Sequence, residues 1–268
     1  MKLLVILVFC CLSVACSKKS SDEVLPYLTD GLQKKDGLKR YILGFENDGL
    51  QQYALLIGSE TAKELIVFAH GFHPEPPKYG TDKEGKNDRP GDYYRGLVEA
   101  YAKGGYWVLV PDFRGHNKSQ GIEFTFFGGG DNPVIHNASD LEAAYTNLIA
   151  LRPNLGNKTV LLSHSMGTAA VVLAADSMKE NVLGLSLWSG GKLMDYDVHP
   201  EHKYILHHAV NESVVPVKGS EEFITKLQQG QYQYFPYQSD KHLLEGQNFD
   251  LAVKRDLEFI KRLYTEEQ

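Results

Sequence analysis

From Leu38 onward the chain changes from a polar stretch into short apolar runs, and their spacing predicts strands alternating with helices. Residues 39–46 and 50–58 read as two strands joined by Asn47-Asp48-Gly49, residue types that tolerate a positive φ and favour a hairpin. Residues 64–69, 106–110, 159–162, 182–188 and 204–210 are nearly continuous apolar runs, as expected of strands covered on both faces. Residues 231–237 alternate as one more strand. Between them, Tyr94, Leu97, Val98 and Tyr101 recur at helical spacing until Gly104-Gly105. A second stripe, Leu141, Ala144, Tyr145 and Leu148, follows a possible capping box of Ser139 and Glu142 and breaks at Arg152-Pro153. Further helices are predicted after residue 165, over 220–229 and over 249–264, the last with Val253, Leu257, Ile260 and Tyr264 on one face. Residues 72–90 and 117–136 read as loops. The expected class is α/β, with a mainly parallel sheet, an antiparallel start and helices on both faces.

Composition adds limits. A chain of 268 residues, 43% hydrophobic and 23% charged, suits one large domain with a substantial core. The formal charge of -6 carries no long run of one sign, so nothing points to nucleic acid. Metal binding lacks a His-Glu-x-x-His pattern, and Gly128-Gly129-Gly130 opens no helix with a Lys, as a phosphate loop would.

The amino terminus differs in kind. Met1-Lys2 precedes an apolar run over 3–15, too short to span a bilayer as a helix, where roughly 20 residues are needed, and it reads as an export signal. All three cysteines, Cys10, Cys11 and Cys16, lie at this end, so the body has none for disulfides. The expected division is a signal peptide over 1–15, a tether and leading segment over 16–37, and one α/β domain over 38–268.

Candidate chemistry gathers at the carboxyl ends of the strands, as it does in open α/β sheets. Ser163-His164-Ser165-Met166-Gly167, between an apolar strand and a small-residue helix, reads as a nucleophile elbow with Ser165 at its apex. Serine needs a base, and the base an orienting acid. His242, after the last strand, is the candidate base, and Glu212, after the strand over 204–210, is the candidate acid. Asp195 and Asp197 are the alternative acid. His207 and His208 read as packing or edge residues, and His164 as pointing away from the nucleophile. The oxyanion donors are expected to be the N–H groups of Phe72 and Met166.

These landmarks, His70-Gly71-Phe72, then residues 111–116 with Ser119-Gln120-Gly121, then the elbow, Glu212 ahead of Val215-Pro216, and His242, resemble the α/β-hydrolase superfamily. The arrangement is most similar to its prolyl-oligopeptidase and dienelactone-hydrolase-like groups. The resemblance implies a Ser-His-acid hydrolase of the α/β-hydrolase fold without a cofactor. Two positions depart from the usual pattern: Ser163 stands where the elbow commonly has Gly, and Glu212 where the acid is commonly Asp. Ser rather than Asp at 165 argues against haloalkane dehalogenases. Only about fifteen residues separate the strand over 182–188 from the next, too few for a large cap, so an open site is expected. The 72–90 loop, the 117–136 loop and Trp188 should border it, with Phe113, Phe124, Phe126 and Phe127 as possible pocket lining. Ser13-Val14-Ala15-Cys16 resembles the lipobox of bacterial lipoproteins, which implies lipid attachment at Cys16 and a membrane-surface location; secretion or a periplasmic location is the alternative.

The reading of function that follows is an exported serine hydrolase acting on carboxylic esters. A serine peptidase or amidase is the nearer rival, although there is no room here for the propeller of prolyl oligopeptidases. A catalytically silent binding lipoprotein is the rival of another class.

Overall fold

The computed structural model describes residues 26–30, 37–72, 94–121, 133–191 and 193–267. The signal segment, Cys16, most of the 72–90 loop, and Phe124, Phe126 and Phe127 lie outside the described residues.

Among the described residues, nine strands form one sheet in the order β1-β2-β3-β5-β4-β6-β7-β8-β9. They are β1 (Tyr27–Asp30), β2 (Lys39–Asn47), β3 (Leu50–Gly58), β4 (Leu65–Ala69), β5 (Trp107–Asp112), β6 (Thr159–His164), β7 (Val182–Trp188), β8 (Lys203–Ala209) and β9 (Tyr232–Tyr237). Pairing is antiparallel from β1 to β3 and from β3 to β5, and parallel from there to β9. This is the mixed sheet expected from the sequence. The added strand is β1, which pairs with residues 41–44 of β2 and lies in the segment read as a tether and leading region. With only four residues, it is too short for period two to be visible.

The β2–β3 hairpin is pinned by its turn. Asn47 pairs with Leu50, leaving Asp48 and Gly49 as a two-residue loop with φ of 52° and 73°. Positive φ at both positions matches the twist of the flanking strands, which is why Asp-Gly works there.

Among the described residues, five α-helices cover the sheet: α1 (Arg95–Lys103), α2 (Pro133–Leu151), α3 (Met166–Met178), α4 (Lys218–Ile224) and α5 (Gly246–Glu267). One core layer joins α2, α3 and Phe223 of α4 to one face, through Leu141, Leu148, Val171 and Leu161. The other packs α1 and α5 on the opposite face through Tyr101, Val253, Ile260 and Ile66. Helix α2 begins six residues before the predicted capping box. Pro133 opens it, a residue suited to the first turn because its missing N–H would have no partner there. Ser139 is therefore interior, its Oγ accepting from Asn47 Nδ2 at 3.0 Å, while Glu142 accepts from Ser177 at 2.8 Å. Helix α4 is shorter than predicted and ends at Ile224.

A buried ion pair ties the hairpin, β5 and α2 together. Arg114 donates through Nη2 to Asp140 Oδ1 at 2.7 Å and to Asp48 Oδ2 at 2.9 Å, with Asp140 fully buried. Strands β7 and β8 pair side by side in parallel, from Gly184 with Lys203 to Trp188 with His207. Among the described residues of 189–202 there is one short 3-10 turn, Leu193–Asp195, and no cap. No helix of the described residues is long and apolar enough to cross a membrane.

Candidate active site

Strand β6 ends at His164, and α3 begins at Met166, so Ser165 alone makes the turn. Its backbone sits at φ 54° and ψ −121°, a region that non-glycine residues rarely occupy and that persists only where the surroundings enforce it. Ser165 N–H donates to the Trp188 carbonyl at 2.9 Å, and its own carbonyl accepts from Thr168 Oγ1 at 2.6 Å. These two bonds hold the turn on both sides.

The small residues flanking the elbow are needed for different reasons. A Cβ at Gly167 would lie 2.3 Å from the Ala69 carbonyl oxygen and 2.7 Å from that of His70. The start of α3 therefore rests directly on the end of β4. Ser163 stands in place of the usual Gly, and its buried hydroxyl is satisfied by donating to the Ser186 carbonyl at 3.1 Å. Gly167→Ala is expected to destabilise the fold by about 1–3 kcal/mol through overpacking. A fall in the urea midpoint with an unchanged slope would verify it.

The end of β4 meets the elbow at Gly71, where an added Cβ would be 3.2 Å from Ser165 Cβ. His70 is fully buried and joins two strand ends: its Nδ1–H donates to the Gly71 carbonyl at 2.7 Å, while Nε2 accepts from Phe113 N–H at 3.2 Å. His116 packs on His70 and on Phe72, with centroids at 4.8 and 6.5 Å, and burial lowers its affinity for a proton. Gly71 N–H donates to Tyr94 Oη at 3.0 Å, which ties the end of β4 to the residue just ahead of α1. Met166 N–H opens α3 and points out of the helix end, where the peptide dipoles also favour negative charge.

Glu212 and His242 are brought together. His242 Nδ1–H donates to Glu212 Oε2 at 2.7 Å. That oxygen also accepts from the N–H groups of Val214 at 3.2 Å and Val215 at 3.0 Å. The other oxygen, Oε1, stands 3.0 Å from His208 Nε2, whose N–H aligns instead with the Val215 carbonyl, also at 3.0 Å. Burial pushes the Glu212 carboxyl up; the closeness of His208 to Oε1, the hydrogen bonds from His242 and Val215 and the electrostatic pull of His242 outweigh it, and the net shift is far below the usual carboxylate range. With the proton on Nδ1, the lone pair of His242 is on Nε2. That atom is buried and has no hydrogen-bond partner among the described residues, Ser165 Oγ included.

The alternative acids are not brought to His242: Asp195 and Asp197 are exposed on the segment between β7 and β8. Trp188 is core rather than rim, 1% exposed, with its indole N–H on Asp256 Oδ2 at 2.8 Å. Phe113 is likewise buried against His70. His207 and His208 are neither edge residues nor simple packing. Alternation along β8 sends them to opposite faces: His207 Nε2–H donates to the buried Asp256 at 2.9 Å, and His208 reaches Ser220 and Glu212. Among the described residues no three His, Cys, Asp or Glu side chains form a group able to hold a metal ion.

Strand ends on a mixed sheet, a strained serine on a strand-to-helix turn, and a histidine-carboxylate pair make one recognisable combination. A profile of the alpha/beta hydrolase family matches residues 66–228, more than half of the chain. The chain belongs to the alpha/beta hydrolase family.

Several solved structures share its fold. An esterase of Pyrococcus furiosus is 17% identical, with a TM-score of 0.64, over 88% of this chain and 98% of its own. A Butyrivibrio proteoclasticus protein solved with ferulic acid bound is 16% identical, with a TM-score of 0.61, over 83% and 99%. A Xanthomonas campestris serine hydrolase without a lid is 14% identical, with a TM-score of 0.59, over 85% and 94%. No curated protein sequence matches the chain.

Proposed function

We propose that this alpha/beta hydrolase cleaves carboxylic esters through an acyl-enzyme, with Ser165 as nucleophile, His242 as base and Glu212 as acid. The observation that carries the reading is the strained Ser165 turn, whose neighbour His164 packs 4.6 Å from His242, together with the His242–Glu212 pair at 2.7 Å. Ser165 Oγ attacks the ester carbonyl carbon as His242 Nε2 takes its proton. The C=O electrons move onto oxygen, which the N–H groups of Phe72 and Met166 stabilise. Glu212 holds the imidazolium through Nδ1–H. Collapse expels the alcohol, which leaves with the proton from Nε2. Water then repeats the sequence on the acyl-serine, releasing the acid and restoring Ser165.

Esters are favoured over amides because the solved relatives include esterases. A panel of p-nitrophenyl esters beside matched anilides tests this. Ester turnover with an initial burst is expected; anilide cleavage at a comparable rate would mark a peptidase, and no turnover or covalent labelling at all would mark a binding protein.

The same protein is proposed to be exported and anchored by acylation of Cys16, supported by the apolar run ahead of it and the cysteine-free body. Cys16→Ala in the full chain is expected to move the protein from the detergent phase to the aqueous phase in Triton X-114 partition. Unchanged partition would remove the anchor from the account.

A further inference from the structure

The backbone carbonyl of His242 accepts hydrogen bonds from two side chains, Ser189 Oγ at 2.7 Å and His164 Nε2 at 3.2 Å. Both donors are buried, at 1% and 4% exposure. His242 itself lies on a connection without regular structure between β9 and α5, so nothing in the sheet ladder fixes its backbone. The donation from His164 Nε2 also decides the rest of that imidazole. Its lone pair is on Nδ1, where the Tyr94 hydroxyl stands at 2.7 Å and must donate. The same hydroxyl accepts Gly71 N–H at 3.0 Å. One directed chain therefore runs from Gly71 N–H through Tyr94 O–H and the His164 ring to the His242 carbonyl. It begins one residue before Phe72 and ends on the proposed base.

Packing follows the same path. The His164 ring lies 4.6 Å from that of His242 and 5.4 Å from that of Tyr94, centroid to centroid. Ser189 is held at φ 49°, an uncommon conformation for a non-glycine residue, while its N–H donates to the His207 carbonyl at 2.8 Å. Backbone strain of this kind is retained where surrounding contacts impose it. Here it accompanies a hydroxyl bonded to the His242 carbonyl.

We propose that Tyr94, His164 and Ser189 are positioning residues that lock the His242 backbone and the Gly71–Phe72 strand end into one unit around Ser165. The proposal rests on the triad reading given above. None of the three needs to touch substrate. Their effect is to keep the base and the oxyanion amide in a common frame, and displacements of about 1 Å in such geometry cost about 100-fold in rate.

Tyr94→Phe and Ser189→Ala each remove one oxygen from the chain at different ends, so either carries the test if the other fails to fold. His164→Leu breaks the middle, and His164→Gln returns a donor. With p-nitrophenyl acetate, the first three variants are expected to lower kcat by about 10- to 100-fold with KM within about two-fold. His164→Gln should recover part of the loss.

The second readout does not depend on turnover. The downfield proton resonance of His242 Nδ1–H, identified by its absence in His242→Ala, should shift or broaden in Ser189→Ala and Tyr94→Phe. Unchanged kcat, or a lower kcat with that resonance unmoved, overturns the proposal. The two readings fail differently: a wild type that hydrolyses no ester defeats the triad, while the resonance still reports whether the chain positions His242. Conversely, turnover lost in Ser165→Ala but intact in these variants defeats only the positioning chain.

Discussion

His242→Ala is expected to lower kcat for a short-chain p-nitrophenyl ester by about 10⁶-fold, the scale on which removal of the base acts in serine hydrolases with a catalytic triad. The reason lies in the two ring nitrogens. Nδ1 is committed to Glu212 at 2.7 Å, so the proton of Ser165 has only Nε2 to go to. Without the ring, a serine hydroxyl at neutral pH is a poor nucleophile. Stability should change far less than rate, because the side chain is 20% exposed. Thermal unfolding of the variant beside the wild type separates the two effects: a lost rate with a nearly unchanged midpoint is expected, and a retained rate would require another base.

Glu212→Gln is expected to lower kcat by about 10³- to 10⁴-fold, since an amide no longer holds the Nδ1–H tautomer nor stabilises the imidazolium. This substitution also has a pH signature with a definite sign. The folded state holds the carboxyl below its ordinary value of 4.5, so the unfolded chain takes up the proton first as pH falls. The group's contribution to stability is fully present above that value and is lost as pH drops from there toward the folded one. Urea midpoints measured between about pH 6 and pH 3 should therefore fall in the wild type, and the gap to Glu212→Gln should narrow as they do. A constant gap would mean that the carboxylate is not held by these bonds.

Much of this arrangement was legible in the sequence because it depends on local patterns. The hairpin was visible in Asn47-Asp48-Gly49, where turn chemistry is set by two residues. The central strands were visible as apolar runs, since burial on both faces removes polar positions. The order of Ser165, Glu212 and His242 and their places after strands single them out as candidates, and the pairing of His242 with Glu212 at 2.7 Å agrees with that order. What the sequence did not display was the partner of each polar side chain. Spacing at the elbow points His164 away from the nucleophile but names no partner for it; the structure places its Nε2 on the His242 carbonyl at 3.2 Å. Trp188 was expected at the rim because it ends a strand; Asp256, on α5 and far away in sequence, draws its indole inward. Ser139 and Glu142 had the spacing of a helix cap, yet their partners lie on β2 and α3, which local spacing does not encode. His208 carried the one signal that alternation offered: next to His207 on β8, it had to face the opposite side, toward the strand-end acid.

The central claim is that the strained serine at the end of β6 is the nucleophile. A fluorophosphonate probe applied to the folded wild type, followed by digestion and mass spectrometry, tests it most directly. The predicted result is a single adduct on Ser165, absent from Ser165→Ala and strongly reduced in His242→Ala. An adduct on another residue, or labelling that survives Ser165→Ala, would contradict the account.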